Sequence, residues 1–72
     1  MGQRIERSAT AGEEHAPGRL DQVAARLFPE FSRARLQGWI RSGALLLDGR
    51  TARPRDPVAV GDTLSLDAEV DE

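Results

Sequence analysis

The chain has no cysteine, no lysine, a single histidine and no apolar run longer than the four residues Ala44 to Leu47. Each absence excludes something. Without cysteine there is neither a disulfide staple nor thiolate chemistry, and one histidine cannot build a Cys/His zinc site. Missing cysteines also agree with a reducing cytoplasm. Four apolar residues fall far short of the ~20 that span a bilayer. The N-terminus carries charges where a signal peptide needs an apolar stretch. At 72 residues the chain has room for one domain, and a chain this short buries only about 60% of its unfolded surface. A small soluble domain of cytoplasmic type is expected, monomeric and with no membrane partner.

Catalytic signatures are lacking as well. There is no Gly-rich phosphate loop, no HExxH and no nucleophile elbow. His15 stands in a loop-like stretch with no Cys or Ser partner placed by a motif, and reads as a solvated surface side chain. Asp21, Asp48 and Asp62 are each accounted for by a helix first turn or a turn position. No catalytic residue, metal ligand or cofactor is therefore expected.

What is present is arginine, and its placement. All ten basic residues are Arg. Codon usage in a GC-rich genome gives such a bias, and so does selection for a planar guanidinium that matches phosphate. The formal net charge of −2 conceals +5 over residues 19–55, −1 over 1–18 and −6 over 56–72. A basic middle beside an acidic end points to a polyanionic partner for the middle.

The order of elements can be read from hydrophobic period and punctuation. Residues 3–10 alternate weakly and suit an edge strand, and 11–18 read as a loop. Leu20, Val23, Ala24, Leu27 and Phe28 fall at i, i+3, i+4, i+7 and i+8, which predicts a helix over 20–28 stopped by Pro29. Ser32 suits an N-cap and Phe31 with Leu36 a hydrophobic staple. Leu36, Trp39 and Ile40 form an apolar face and Gly43 a stop, which predicts a helix over 33–42. Gly38 inside it weakens the helix by roughly 1 kcal/mol relative to Ala.

The period then changes to alternation. Ala44 to Leu47 before Asp48-Gly49 predicts a type I′ hairpin with Arg50 to Ala52 as return strand. Residues 53–57, with two prolines, read as a loop. After a Gly61-Asp62 turn, Leu64, Leu66, Ala68 and Val70 alternate with Thr63, Ser65, Asp67 and Glu69, a half-buried strand with an acidic outer face. Strand, helix, helix, hairpin and strand make a small α+β domain.

Anion binding is the chemistry the residues favour. Ser32-Arg33 at a helix start joins free backbone N–H groups, a partial positive dipole and a guanidinium. At 100° per residue Arg33, Arg35 and Arg41 do not form one stripe; they flank the apolar face on both sides. On the first helix, Gln22 and Arg26 share a polar side, with Arg19 if it is helical. Arg19, Arg33, Arg35 and Arg50 form the candidate cluster for nucleic-acid contact. Trp39, Phe28 and Phe31 read as core or staple residues, with base stacking by Trp39 as the minor reading.

Arg19-Leu20-Asp21, Ser32-Arg33, Gly43, the apolar strand ending in Asp48-Gly49, and Gly61-Asp62 before an alternating strand together resemble the small RNA-binding domain named after ribosomal small-subunit protein four. The resemblance covers residues 19–67. Residues 28–33 and the Trp39-Ile40 pair look most like the version at the N-terminus of ribosomal large-subunit pseudouridine synthases of the D type. It implies two helices packed on a short bent antiparallel sheet, the alpha-L RNA-binding motif. It further implies RNA contact through Arg19, Ser32, Arg33 and the Asp48-Gly49-Arg50 turn, with Arg35 and Arg41 as neighbours. The family usually carries Asn where this chain has Asp48, and a carboxylate there repels phosphate.

Gly18-Arg19-Leu20-Asp21 also looks like the start of the catalytic signature of pseudouridine synthases. There Thr-Ser-Gly follows the Asp; here Gln22-Val23-Ala24-Ala25 continues a helix, so Asp21 is read as structural. The resemblance thus implies a three-part division: a strand-like segment and loop at 1–18, an RNA-binding domain at 19–67, and an acidic run-out at 68–72 towards a catalytic domain. The implied function is an RNA-binding module that helps position ribosomal RNA, with structured large-subunit ribosomal RNA as partner. A free-standing ribosome-associated protein of the same fold, a helix-turn-helix DNA reader and a protein-interaction module using the acidic strand stay open as alternatives.

Overall fold

The computed structural model describes residues 2–71, as five strands and two helices: β1 (Gly2–Thr10), β2 (Gly18–Arg19), α1 (Leu20–Leu27), α2 (Arg33–Ser42), β3 (Leu45–Leu47), β4 (Pro57–Val58) and β5 (Thr63–Asp71). The expected α+β class and the pair of helices on a small antiparallel sheet are both present. The strands divide between two sheets, one in the order β1-β5-β3 and a two-stranded pair of β2 with β4, all antiparallel.

The period-2 pattern of β5 decides the register. Leu64, Leu66 and Ala68 turn inward and are buried, and Leu45 and Leu47 of β3 meet Leu66 and Leu64 across the ladder. On its other edge β5 pairs with β1 along its whole length, from Gly2 opposite Asp71 to Thr10 opposite Thr63. β1 is the edge strand expected, with only Ile5 and Ala9 turned towards the core. Asp67 on the acidic outer face is met by Arg4 of β1, whose Nη2 lies 2.8 Å from Asp67 Oδ2.

α1 and α2 close the core from the other side through Leu20, Val23, Ala24, Phe28, Leu36 and Ile40. α1 ends at Leu27, one residue before the expected limit. Phe28 already has φ −124° and ψ 65°, as the residue before a proline must leave the helical region. Its N-terminus has no side-chain cap. Instead the Leu20 and Asp21 N–H groups donate to the carbonyls of Asp56 and Pro54, at 2.9 and 3.0 Å. A loop some thirty residues downstream in the chain thus satisfies two donors that the helix itself leaves open.

α2 has the predicted limits and the predicted cap. Ser32 Oγ accepts the Arg35 N–H at 3.2 Å. Gly43 ends the helix with φ 88°, in the left-handed region. A Cβ at Gly43 would also stand 3.2 Å from Thr51 Cγ2. Gly43→Ala combines backbone strain with crowding, and is expected to cost about 1–2 kcal/mol. A thermal melt measures this, and an unchanged midpoint would contradict it.

The hairpin is corrected. Asp48 and Gly49 do have positive φ, 52° and 78°, as a type I′ turn requires. Leu47 and Arg50 exchange hydrogen bonds of 2.9 and 3.2 Å, but pairing stops there and 50–52 form no strand. Beyond the bridge the chain turns away to bring Pro54 and Asp56 to the start of α1. β3 takes its partner from β5 instead, which offers the buried Leu64 and Leu66 across the ladder. The expected loops also contain a short pair: Gly18 and Arg19 form β2 and pair with Val58 and Pro57 of β4. Trp39, expected in the core, is half-buried at its rim.

Candidate nucleic-acid interface

The site is organised by one buried carboxylate. Asp21, in the first turn of α1, is fully inaccessible. Its Oδ1 accepts the Gln22 N–H at 2.9 Å. Its Oδ2 accepts from Gln37 Nε2 at 3.1 Å, Arg19 Nη2 at 3.3 Å and Arg33 Nη2 at 3.4 Å. Burial by itself raises the pKa of this carboxyl. The hydrogen bonds from Gln37 and Arg33, the charge of Arg19 and the Gln22 N–H outweigh that, holding it below the ordinary carboxylate range. The expected structural role of Asp21 is thus joined by a second: it anchors two arginines.

Both guanidinia remain half-exposed, with Arg19 and Arg33 side chains 53% and 54% accessible. Each keeps donors directed to solvent while one is held by Asp21, an arrangement suited to phosphate oxygens. Arg19 comes from the residue before α1 and Arg33 from the first residue of α2. The α2 N-terminus adds its open N–H groups and dipole next to Arg33. Ser32 sits at that terminus with its hydroxyl engaged by Arg35 N–H.

The expected cluster of Arg19, Arg33, Arg35 and Arg50 divides. Arg19 and Arg33 share Asp21. Arg35 instead lies over the Trp39 ring, 5.8 Å from its centroid, while Phe31 meets the same ring edge-on at 4.9 Å. Arg50 and Gly49 belong to the hairpin turn, and Arg50 lines a separate hollow with Leu47, Thr51, Asp56 and Pro57. Asp48, beside them, is engaged within the fold: its Oδ1 accepts the Thr63 N–H at 2.9 Å. Arg41 is brought to Arg19 and Gln37 along α2, in a cavity of about 430 Å³ that Arg53, Pro54 and Arg55 complete.

Gln37, Arg53 and Arg55 were not among the expected site residues. A signal for the first was available, because Arg33, Gln37 and Arg41 are spaced i, i+4, i+8 and form a polar stripe along α2. No comparable signal marks Arg53 and Arg55, since their position follows from the loop's attachment to α1. His15 also differs from expectation. It is partly buried, with Nδ1 accepting the Gly12 N–H at 3.4 Å, and it lines a hollow of about 510 Å³ with Gln22, Arg26 and Arg33.

This geometry falls within a segment that matches a known family: residues 18–64 match the model described as S4 domain. The chain belongs to the S4 domain family. The resemblance read from residues 19–67 is therefore correct. Its relatives include the ribosomal large subunit pseudouridine synthase D of Pseudomonas aeruginosa, 52% identical over 69 residues, covering 96% of this chain and 22% of that protein. The Xanthomonas campestris protein of the same name is 53% identical over 60 residues, covering 83% of the chain and 18% of that protein. That of Escherichia coli K12 is 36% identical over 73 residues, covering 100% and 22%. The chain thus spans about a fifth of the length of these curated relatives. Within the S4 domain matched here lie Arg19, Ser32, Arg33, Arg35, Arg41, Gly49 and Arg50, together with Asp21, Gln37, Arg53 and Arg55.

Proposed function

We propose that this S4 domain binds structured RNA, and that it helps position large-subunit ribosomal RNA for a pseudouridine synthase whose catalytic domain lies outside these 72 residues. The observation that carries this reading is the pair of half-exposed guanidinia, Arg19 and Arg33, fixed beside the α2 N-terminus by one buried carboxylate in the first turn of α1. Phosphates meet Arg19, Arg33 and Arg41 on this face. Arg35 lies on the neighbouring face of α2, Ser32 holds the helix terminus in shape, and Gly49 with Arg50 presents the hairpin turn. The relatives' shared name supports ribosomal RNA as the partner and uridine isomerisation as the activity of the whole protein. The compartment that follows from this reading is the cytoplasm.

Such contacts position an RNA backbone and carry little sequence information. Three to five of them imply a log–log salt slope of about −2 to −3.5 on unpaired RNA. Arg33→Ala with Arg41→Ala is expected to flatten that slope by about 1.4, at about 0.7 per lost contact. Fluorescence anisotropy of a labelled RNA over a salt series measures both. Affinity insensitive to salt, or a slope unchanged in the double variant, refutes the reading. Duplex DNA as competitor at equal salt tests the helix-turn-helix alternative, for which a clear duplex preference is the required result.

A further inference from the structure

The loop from Arg53 to Asp56 is held at several points. The Pro54 and Asp56 carbonyls accept from the first turn of α1. The Asp56 carboxylate accepts the Arg53 N–H at 2.9 Å, and the Asp56 N–H returns to the Arg53 carbonyl at 3.0 Å. A loop tied in this way has little freedom left to lose on binding. It carries two exposed arginines, Arg53 and Arg55, and it holds them against Arg19 and Arg41 around the cavity of about 430 Å³.

Three of the four arginines around this cavity lack an internal counterpart. Among the described residues, neither Arg41, Arg53 nor Arg55 forms an ion pair with a carboxylate. The one acid next to the cavity wall, Asp21, is buried and already engaged by Arg19, Arg33 and Gln37. The Asp56 carboxylate is turned to the backbone. Four arginines line this one hollow; like charges gathered there favour an anion between them, and bidentate guanidinium forks fit phosphate oxygens.

We infer that Arg53 and Arg55 are RNA-binding residues, and that the hollow they form with Arg19 and Arg41 takes a backbone phosphate of the bound RNA. This rests on the RNA-binding reading and extends it: the strand crosses the start of α1 onto the 53–56 loop. Arg19 then serves both ends of the path, through Arg33 on one side and the loop on the other. Including the two loop contacts puts the wild-type chain at the steep end of the salt slopes given above.

The test is a salt series with the same labelled unpaired RNA, on the wild-type chain, on Arg53→Ala with Arg55→Ala, and on Arg53→Lys with Arg55→Lys. The alanine pair is expected to flatten the slope by about 1.4, and to weaken binding about 25-fold at about 0.1 M salt, by the same 0.7 per contact. The lysine pair retains the slope, since the charge is kept. Both side chains are exposed, so melting temperatures stay close to wild type in both variants, and a melt confirms that the change lies in binding. If the wild-type chain binds with a steep slope and the alanine pair leaves it unchanged, the loop inference is overturned while the RNA-binding reading survives. If wild-type binding is itself insensitive to salt, both are overturned.

Discussion

Removing the Asp21 carboxylate is expected to lower stability by about 2–3 kcal/mol. Hydrogen bonds to a charged group contribute roughly 1.5–3 kcal/mol each. The contribution from Arg19 and Arg33 is reduced, because both are half-exposed and can turn to water when the acid is gone. What water replaces less well is the acceptor for Gln37 and for the Gln22 N–H at a site fully closed to solvent. For a domain of this size the total stability is on the order of 4–11 kcal/mol, so the loss is a large share of it. At about 4–8 °C per kcal/mol, Asp21→Ala should melt roughly 10–20 °C below wild type. Asp21→Asn should lie between the two, since its oxygen still accepts.

The acid limb supplies a second readout of the same group. The folded-state pKa of Asp21 is depressed, so its contribution is fully present above the unfolded value of about 3.9. That contribution is lost as pH falls through the lower folded value. Wild-type melting temperature should therefore fall as the medium is acidified below about pH 4, and Asp21→Asn should show a shallower fall. Asp67 is depressed in the same direction by its hydrogen bond from Arg4. That pair is exposed, so its part is screened by added salt while the Asp21 part persists. An Asp21→Asn variant with wild-type melting temperature and wild-type acid dependence would show that the carboxylate is not the organising group. RNA affinity should fall as well, because Arg19 and Arg33 lose the group that holds them in place.

Leu36→Ala is expected to cost about 3–5 kcal/mol. Leu36 is completely buried on the face of α2 that packs on α1 and β3. Removing its branched end leaves a cavity in a core with few layers to relax into it. At the lower end of the total stability estimated above, the variant is partly unfolded at ordinary temperature. Circular dichroism would show a lost or much earlier transition. Val60→Ala is the informative comparison, since Val60 is 51% exposed and its truncation should stay within about 0.5 kcal/mol. Equal effects at the two positions would contradict the assignment of the core.

Both predictions concern residues whose roles were legible to different degrees. The helices, the α2 cap at Ser32, the Gly43 stop, the Asp48-Gly49 turn and the alternating β5 are local features. Each follows from period, capping or turn chemistry within a few residues, and each is present in the structure. The core positions of α1, α2 and β5 were legible for the same reason. Asp21 was legible as structural because an amphipathic helix runs straight through the motif it imitates.

The sequence by itself thus determined the elements, the inward faces and the excess of arginine in the middle of the chain, because those depend on composition and short-range spacing. Only the tertiary structure decided which arginines from distant parts of the chain lie together. The separation of Arg35 from Arg33 follows already from their i, i+2 spacing on α2; the tertiary structure adds the Trp39 ring over which Arg35 lies. The joining of Arg53 and Arg55 to Arg19 and Arg41 follows from a loop whose carbonyls cap α1. It also decided that β3 pairs with β5 and not with 50–52, because the return segment is needed at the helix start. Long-range hydrogen bonds select one among several arrangements that local propensity leaves equal, and no count of residues along the chain contains that choice.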